Sequence, residues 1–500
     1  MEAAASTPHP ALRDFPDRLS PMLVKELRQG MRTKMFTAAF IVVQAVMILI
    51  AFFSAIAAGA GMRAEGLSGV FWGMLVFVLI FVMPLRAFGV LSNEMRDDTM
   101  ETILLTRLSA WRIVFGKWLA LVTQTTLLLS AILPYVVLRY WLGGINLAVE
   151  MFWLGVIWLV SCLMTAILAG LSGQRLFLLR GALALGLLVS AFAFCMMVMQ
   201  LFIFGHMHDP IPHTGEPAAW AYYLDWGILI VFGIYYFLDF GASQIAPESA
   251  NLSVRKRLSA LVATAMVLLS GLAGVGEEFY LSLSFLIMAV AVVDALTEPA
   301  TFVPSVYRRF LNCGWPGRLA LMVFGPGWPY GFFFFLCCAG LGVWGWISAQ
   351  TLVGGGRIDE RDWLLLVSLI GTLIWPVAWI RLFNQKAERT FAHYVVIQIV
   401  VCLFAMLLLF LDAAVEIHGV LWVGVFLPFV GFFFADRYHD LGGEALLVIS
   451  VATGLCIVVV GVAALRHMLR VRRLLALRGT APQMASANET LAPGTSSPEL

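Results

Sequence analysis

Long apolar runs recur along this chain at the length of membrane-crossing helices, and they limit its fold more than any motif does. Twelve runs read as spans. They are Met35–Ala60, Leu67–Leu91, Ile113–Leu138, Met151–Leu171, Ala182–Gly205 and Tyr222–Ala246, followed by Leu258–Val275, Tyr280–Leu296, Leu319–Ser348, Trp363–Ile380, Phe391–Leu411 and Glu444–Leu465. A helix needs about 20 predominantly apolar residues to cross the hydrocarbon. A β-barrel would show weaker alternating segments of about 10 residues, and none dominate here. Charged residues make up 12% of the chain, about half of what a soluble domain carries. The fold class that follows is an all-α polytopic membrane protein with about 12 transmembrane helices. A thirteenth stretch, Val420–Ala435, is short and broken by Gly424, Pro428 and Gly431. It reads as re-entrant or interfacial, because such residues are tolerated at membrane depth where protein or water shields the backbone.

The basic residues orient the spans, since Lys and Arg concentrate on the cytoplasmic side. With the N-terminus inside, 26 Lys and Arg fall in cytoplasmic segments and five outside, with Arg86 within a span. If Val420–Ala435 also spans, the ratio drops to 22 against nine. Twelve spans with both termini cytoplasmic is therefore preferred, and 13 is the alternative. The first apolar run is too long for the core of a signal peptide, and polar residues of mixed charge precede it. The expected location is the plasma membrane, most simply a bacterial inner membrane. The seven cysteines show neither a disulfide framework nor metal spacing and read as small packing residues.

Ser20-Pro21 is a helix start, with Ser capping and Pro at the first helical position. The helix that follows carries Leu23, Leu27, Met31 and Met35 on one stripe and Lys25, Arg28 and Arg32 on another. It reads as an interfacial helix with its apolar face in lipid and its basic face towards headgroups.

One polar stretch stands out between the second and third spans, Ser92–Lys117, reading SNEMRDDTMETILLTRLSAWRIVFGK. Asp98 and Glu101 form a capping-box-like start. Met100, Ile103, Leu104 and Leu108 share one helical face, and Ser109 can cap the helix that runs into the third span. Arg96, Asp97, Asp98, Arg107 and Arg112 surround the apolar stripe, a mixture suited to a protein partner.

In order, Glu94, Arg96, Thr99, Glu101, Leu104, Leu105, Thr106, Leu108, Ser109, Ile113, Gly116 and Lys117 resemble the region after the second span of ABC-2-type transporter permeases. The segment LSPMLVKELRQGMRTK resembles that family's cytoplasmic elbow helix, and the resemblance covers residues 19–246. It departs at Asp98, where the family usually has Gly, and at Arg107, where it usually has Pro. The resemblance implies a membrane subunit of an ATP-driven transporter, whose helix between spans two and three sits in a groove of the ATPase. On that basis Glu94, Arg96, Thr99, Glu101, Leu104, Leu105, Leu108 and Arg112 are the expected ATPase-coupling residues.

The chain has no GxxxxGK[ST] phosphate loop. Gly116-Lys117-Trp118 lacks both the upstream Gly and the hydroxyl residue. ATP is thus expected on a separate P-loop ATPase subunit, two copies of it, with no cofactor bound directly. Membrane lipid is another expected partner and nucleic acid is not. A second permease copy is needed if the second half is an added domain, whereas one chain forms the whole membrane part if that half is a degenerate permease repeat. The expected organisation is 1–34 as a cytoplasmic N-terminus, 35–246 as a six-helix membrane domain and 247–466 as a second one. A basic and then disordered tail follows at 467–500.

Charges within spans are functional suspects, since each costs about 2.5–3.5 kcal/mol at mid-bilayer. Arg86, Asp225, Asp239 and Asp294 qualify, and snorkelling or helix pairing accounts for them more simply than transport does. So few deep charges fit an amphipathic or apolar substrate better than an ion-coupled one. His206, His208, Asp209 and His213 cluster in an outside loop but lack a fixed fourth metal ligand. Two other functions remain. A non-transporting scaffold or mechanotransmitter could use the same fold. An intramembrane glycosyltransferase would need acidic residues in the first outside loop, where Gly61–Gly66 offers only Glu65.

Overall fold

A computed structural model describes residues 21–60, 65–92, 109–142, 146–174, 180–187, 189, 217–247, 250–300, 302–349, 360–383, 390–415, 420–437 and 442–490. Among them there is no strand, and eleven helices are long and apolar enough to cross a membrane. The protein is an all-α multi-pass membrane protein. Ten of the twelve expected runs coincide with these helices, and an eleventh, Leu319–Ser348, matches one over its second part only. The twelfth, Ala182–Gly205, is described only at 182–187 and 189, where it is helical.

The chain forms two compact units. The first comprises Met1–Gly215 with Gly233–Ala246, and the second Glu216–Phe232 with Pro247–Leu500. In the first, α1 (Pro21–Met31) leads through a two-residue elbow, Arg32-Thr33, into α2 (Lys34–Gly59). The Thr33 hydroxyl donates to the Gly30 carbonyl at 2.7 Å and tightens that turn. The second span begins as α3 (Glu65–Val76), then loosens into a π turn at Phe77–Val82 and tightens into a 3₁₀ turn at Arg86–Gly89. Pro84 lies between them and cannot donate to the helix ladder. The π turn shifts the carbonyl pattern, and the Leu79 carbonyl accepts from the Ser161 hydroxyl. The third and fourth spans are α4 (Ala110–Leu142) and α5 (Leu147–Leu171). Val43 and Met47 of α2, Phe71 and Trp72 of α3, Leu128 of α4 and Leu154 of α5 form the core of this unit. The helix α6 (Pro217–Ile245) contributes residues to both units.

The second unit holds α7 (Ser253–Ser270), α8 (Glu277–Thr297), α9 (Pro304–Leu311), α10 (Gly314–Phe324), α11 (Trp328–Ala349), α12 (Glu360–Phe383), α13 (Thr390–Val415), α14 (Gly431–Arg437) and α15 (Gly442–Thr490). The run Leu319–Ser348, expected as one span, is two helices. Gly325-Pro326-Gly327 separates α10 from α11, since Pro326 has no N–H and Gly327 takes φ +90°. The stretch Val420–Ala435 is two 3₁₀ turns followed by α14, too short to span. Its Leu421, Leu427, Val430 and Phe434 pack against Leu364, Val401, Leu408 and Ile449, so its irregular backbone is covered by protein.

The last helix continues beyond its apolar part through the Arg- and Leu-rich run to Thr490. Leu and Arg are both strong helix formers, which explains continuity through Arg478. Exposed apolar side chains such as Ile41, Phe52, Leu403, Phe410 and Leu455 are what lipid-facing positions require. The described cysteines are all free thiols, with Cys162, Cys338 and Cys456 buried.

Candidate functional site

The candidate site is built where the two elements carrying the family resemblance meet, α1 and the start of α4. The stripe Leu23 and Leu27 was expected in lipid. It packs instead on Ala120 and Leu119 of α4, so α1 is docked on protein. Its other face leaves Lys25, Arg28 and Arg32 exposed. Along this docked face, Glu26 is the one acidic residue of α1, and its Oε1 lies 3.1 Å from Lys117 Nζ. Lys117 is 5% exposed and Glu26 20%. At that depth the pair is worth more than a surface ion pair of about 0–1 kcal/mol, and losing one member leaves the other poorly solvated.

A second latch holds the C-terminal end of α1. Arg86 Nη2 donates to the Gly30 carbonyl at 3.3 Å and to Gln124 Oε1, and its guanidinium lies 5.2 Å from the Phe36 ring centre. A Cβ on Gly30 would stand 2.0 Å from Gln124 Nε2. The crowded atoms end a flexible side chain, so a Cβ there would displace the Gln124 amide from Arg86 before it parted the helices. Arg86 thus joins the elbow, the second span and the third span through one side chain, which is the helix-pairing account of this in-span charge.

The polar stretch itself falls largely outside the described residues, and so do Glu94, Arg96, Thr99, Glu101, Leu104, Leu105 and Leu108. Its two ends are described, and both are anchored. At its entry the Leu91 N–H donates to the Ser172 hydroxyl at 3.1 Å, and that hydroxyl donates to the Ala169 carbonyl at 2.6 Å. Where the chain leaves, Ser109 caps α4, its Oγ accepting from the Arg112 N–H at 3.4 Å. Arg112 is exposed in the first turn of α4. Trp111 stacks on Phe115 at 4.8 Å and Phe115 meets Trp118 at 5.6 Å, while Trp118 Nε1 donates to the Cys162 carbonyl at 3.1 Å. This aromatic stripe fixes the start of α4 against α5.

The latch has a direct test. Lys117→Glu is expected to cut crosslinking between Leu23→Cys and Ala120→Cys severalfold, because two carboxylates would face each other. Reversing the pair with Glu26→Lys should restore it. Equal yields in wild type, single and double variants would refute the latch.

Other in-span charges, Arg381 apart, also have partners within the protein. Arg139 Nη1 donates to Glu150 at 2.8 Å and its Nη2 to Ser68 at 2.8 Å, with the guanidinium 4.1 Å from the Phe71 ring centre. Asp225 accepts from the Ser270 hydroxyl at 2.6 Å, Asp294 pairs with Lys256 at 2.7 Å, and Asp239 is fully buried. Lys117 is singled out by the sequence as the end of the polar stretch, but neither its partner Glu26 nor the pair Arg139–Glu150 stands out, because each lies within or beside a run that reads as plain helix. The unequal feature that points to the first is the lone acid in a basic helix. The histidine cluster at 206–213 lies outside the described residues. Among those that are described, no group of three His, Cys, Asp or Glu could hold a metal ion.

The second unit carries an open-sided apolar cavity of about 350 Å³, lined by Leu268, Leu269, Tyr280, Leu341 and Trp344, of which Leu269 and Trp344 are exposed. Comparison of the chain with protein-family models, curated proteins and solved structures gives no match.

Proposed function

We propose that this chain is the membrane-spanning permease subunit of an ATP-driven transporter, with ATP hydrolysed on a separate P-loop ATPase chain. One observation carries the reading. The segment 93–108 is bounded by anchored residues on both sides, Leu91 on Ser172 and the Ser109 cap, while α1 is latched onto α4 directly beside it. A lever needs such a frame, since motion delivered to a segment with loose ends would dissipate before reaching the spans. In this reading Glu94, Arg96, Thr99, Glu101, Leu104, Leu105, Leu108 and Arg112 meet the ATPase, and both termini are cytoplasmic at the plasma membrane. Two ATPase copies and a second permease copy complete the assembly.

An exported amphipathic or apolar substrate fits best. The charges within spans that could serve an ion pathway are taken up by internal partners, Arg139 by Glu150 and Asp294 by Lys256. The 350 Å³ cavity is of the size and character of small apolar ligand sites.

Affinity capture from native membranes is expected to recover a P-loop ATPase with the wild-type chain. Glu101→Ala should weaken that recovery and Leu104→Asp, which puts a charge on the docking stripe, should weaken it by tenfold or more, as about 1.4 kcal/mol would do. Recovery of no ATPase, or of equal amounts with both variants, would sink the proposal and favour the scaffold reading.

A further inference from the structure

Two deeply buried arginines of this chain are matched by carboxylates, Arg139 by Glu150 and Arg257 by Glu298. Arg381, in the last turn of α12, is not. It is 6% exposed, and its guanidinium lies 3.8 Å from the Trp328 ring centre at the start of α11. Its Nε and Nη2 are buried and donate to nothing, and no carboxylate pairs with it among the described residues. His467 of α15 packs on the same indole, 6.0 Å between ring centres, and its buried Nδ1 is also without a partner. Arg470 follows one turn further along α15, exposed.

A stacked indole offsets only part of the cost of desolvating a cation, and an unpaired buried charge leaves the larger part of that cost unmet. Three helices therefore converge on a cation whose counter-charge none of the described residues supplies. We propose that Arg381, His467 and Trp328 form a binding site for the phosphate group of an anionic phospholipid.

The chemistry selects that class. A guanidinium offers parallel N–H donors that match phosphate oxygens, and stacking on an indole holds the fork in one plane. The site lies where α11 begins and α12 ends, which is headgroup level for helices of spanning length. Leu382 and Phe383, the next two residues of α12, are 61% and 72% exposed and offer apolar seating for acyl chains beside the phosphate. Basic pockets between spanning helices take up anionic headgroups in this way. The inference stands independently of the transporter reading.

The test uses the full chain, delipidated in neutral detergent, and follows its thermal unfolding midpoint. Phosphatidylglycerol is expected to raise the midpoint of the wild type, and uncharged diacylglycerol is not. Arg381→Gln should weaken the apparent affinity for phosphatidylglycerol about tenfold or more, as losing charge-assisted hydrogen bonds does. His467→Gln should weaken it less. Should Arg381→Gln fail to fold, the His467→Gln titration and co-purified lipid counted by native mass spectrometry decide the matter. A shift with inorganic phosphate and no gain from the lipid would overturn the lipid assignment in favour of soluble phosphate. No shift with either, or equal shifts in wild type and variants, would overturn the site itself.

Discussion

Replacing Arg257 by Met is expected to destabilise the second unit by about 3–5 kcal/mol, the cost of breaking a buried charge pair from one side. Arg257 is 2% exposed, and its two terminal nitrogens reach four acceptors. Nη1 donates to the Val323 carbonyl at 2.9 Å and the Gly325 carbonyl at 2.6 Å, and Nη2 to Glu298 at 2.8 Å and the Gly327 carbonyl at 3.2 Å. These three carbonyls flank the interruption between α10 and α11; the Gly327 carbonyl also accepts from the Gly331 N–H at 3.1 Å. Glu298 closes the arrangement from the other side by accepting from the Gly327 N–H at 3.3 Å and from the Ser253 hydroxyl. Met fills similar space but takes the guanidinium donor from the Val323 and Gly325 carbonyls, at about 1–3 kcal/mol for each left unsatisfied, and leaves the Glu298 carboxylate without its cation. Lys restores the charge and not the fork, so Arg257→Lys should recover only part of the loss. The measurement is the thermal midpoint in detergent beside an exposed control, Arg309→Met. Equal midpoints for Arg257→Met and the control would refute the clamp.

Gly331→Val should be comparably severe for a steric reason. A Cβ at Gly331 would stand 2.0 Å from the Ala295 carbonyl oxygen and 2.5 Å from its carbon. Both belong to the backbone of α8, which cannot swing aside as a side chain can. The helices α8 and α11 would have to separate by more than 1 Å along their contact, beyond the overpacking that costs about 1–3 kcal/mol in soluble cores. Small residues at such crossings are what allow spanning helices to pack at all. Because Glu298 follows the end of α8 and Gly327 precedes α11, parting these helices also strains the Arg257 clamp. Gly331→Val and Arg257→Met should therefore be clearly less than additive when combined. A midpoint for Gly331→Val equal to wild type, or strict additivity of the two, would contradict this account.

The spans were legible because a helix in hydrocarbon must satisfy its own backbone and show an apolar surface, and both demands are written in composition. The Ser109 cap was legible for the same local reason, since an N-cap needs only one side chain and its own helix. Irregular backbone was partly legible. Gly424, Pro428 and Gly431 announced that Val420–Ala435 would not form one helix. Gly325-Pro326-Gly327 carries the same signal, yet it was absorbed into a long apolar run, because run length was weighed and the punctuation was not. The face of α1 was read correctly as a stripe but assigned to lipid. An amphipathic pattern states that a face is covered and leaves open whether lipid or protein covers it. The pairs Glu26–Lys117, Arg139–Glu150 and Arg257–Glu298 were not legible, since each joins residues whose proximity only the packed helices create.

The interruption at Gly325–Gly327 also bears on how this chain fits a bilayer. A straight helix over Leu319–Ser348 would be about 45 Å long at 1.5 Å per residue, well beyond a hydrocarbon thickness of about 30 Å. Such an excess would force steep tilt or a locally thickened membrane. The break leaves α11 with 22 residues, about 33 Å, and hands the surplus to a separate short helix. The same three residues that Arg257 holds in place therefore set the thickness of membrane in which this helix sits upright.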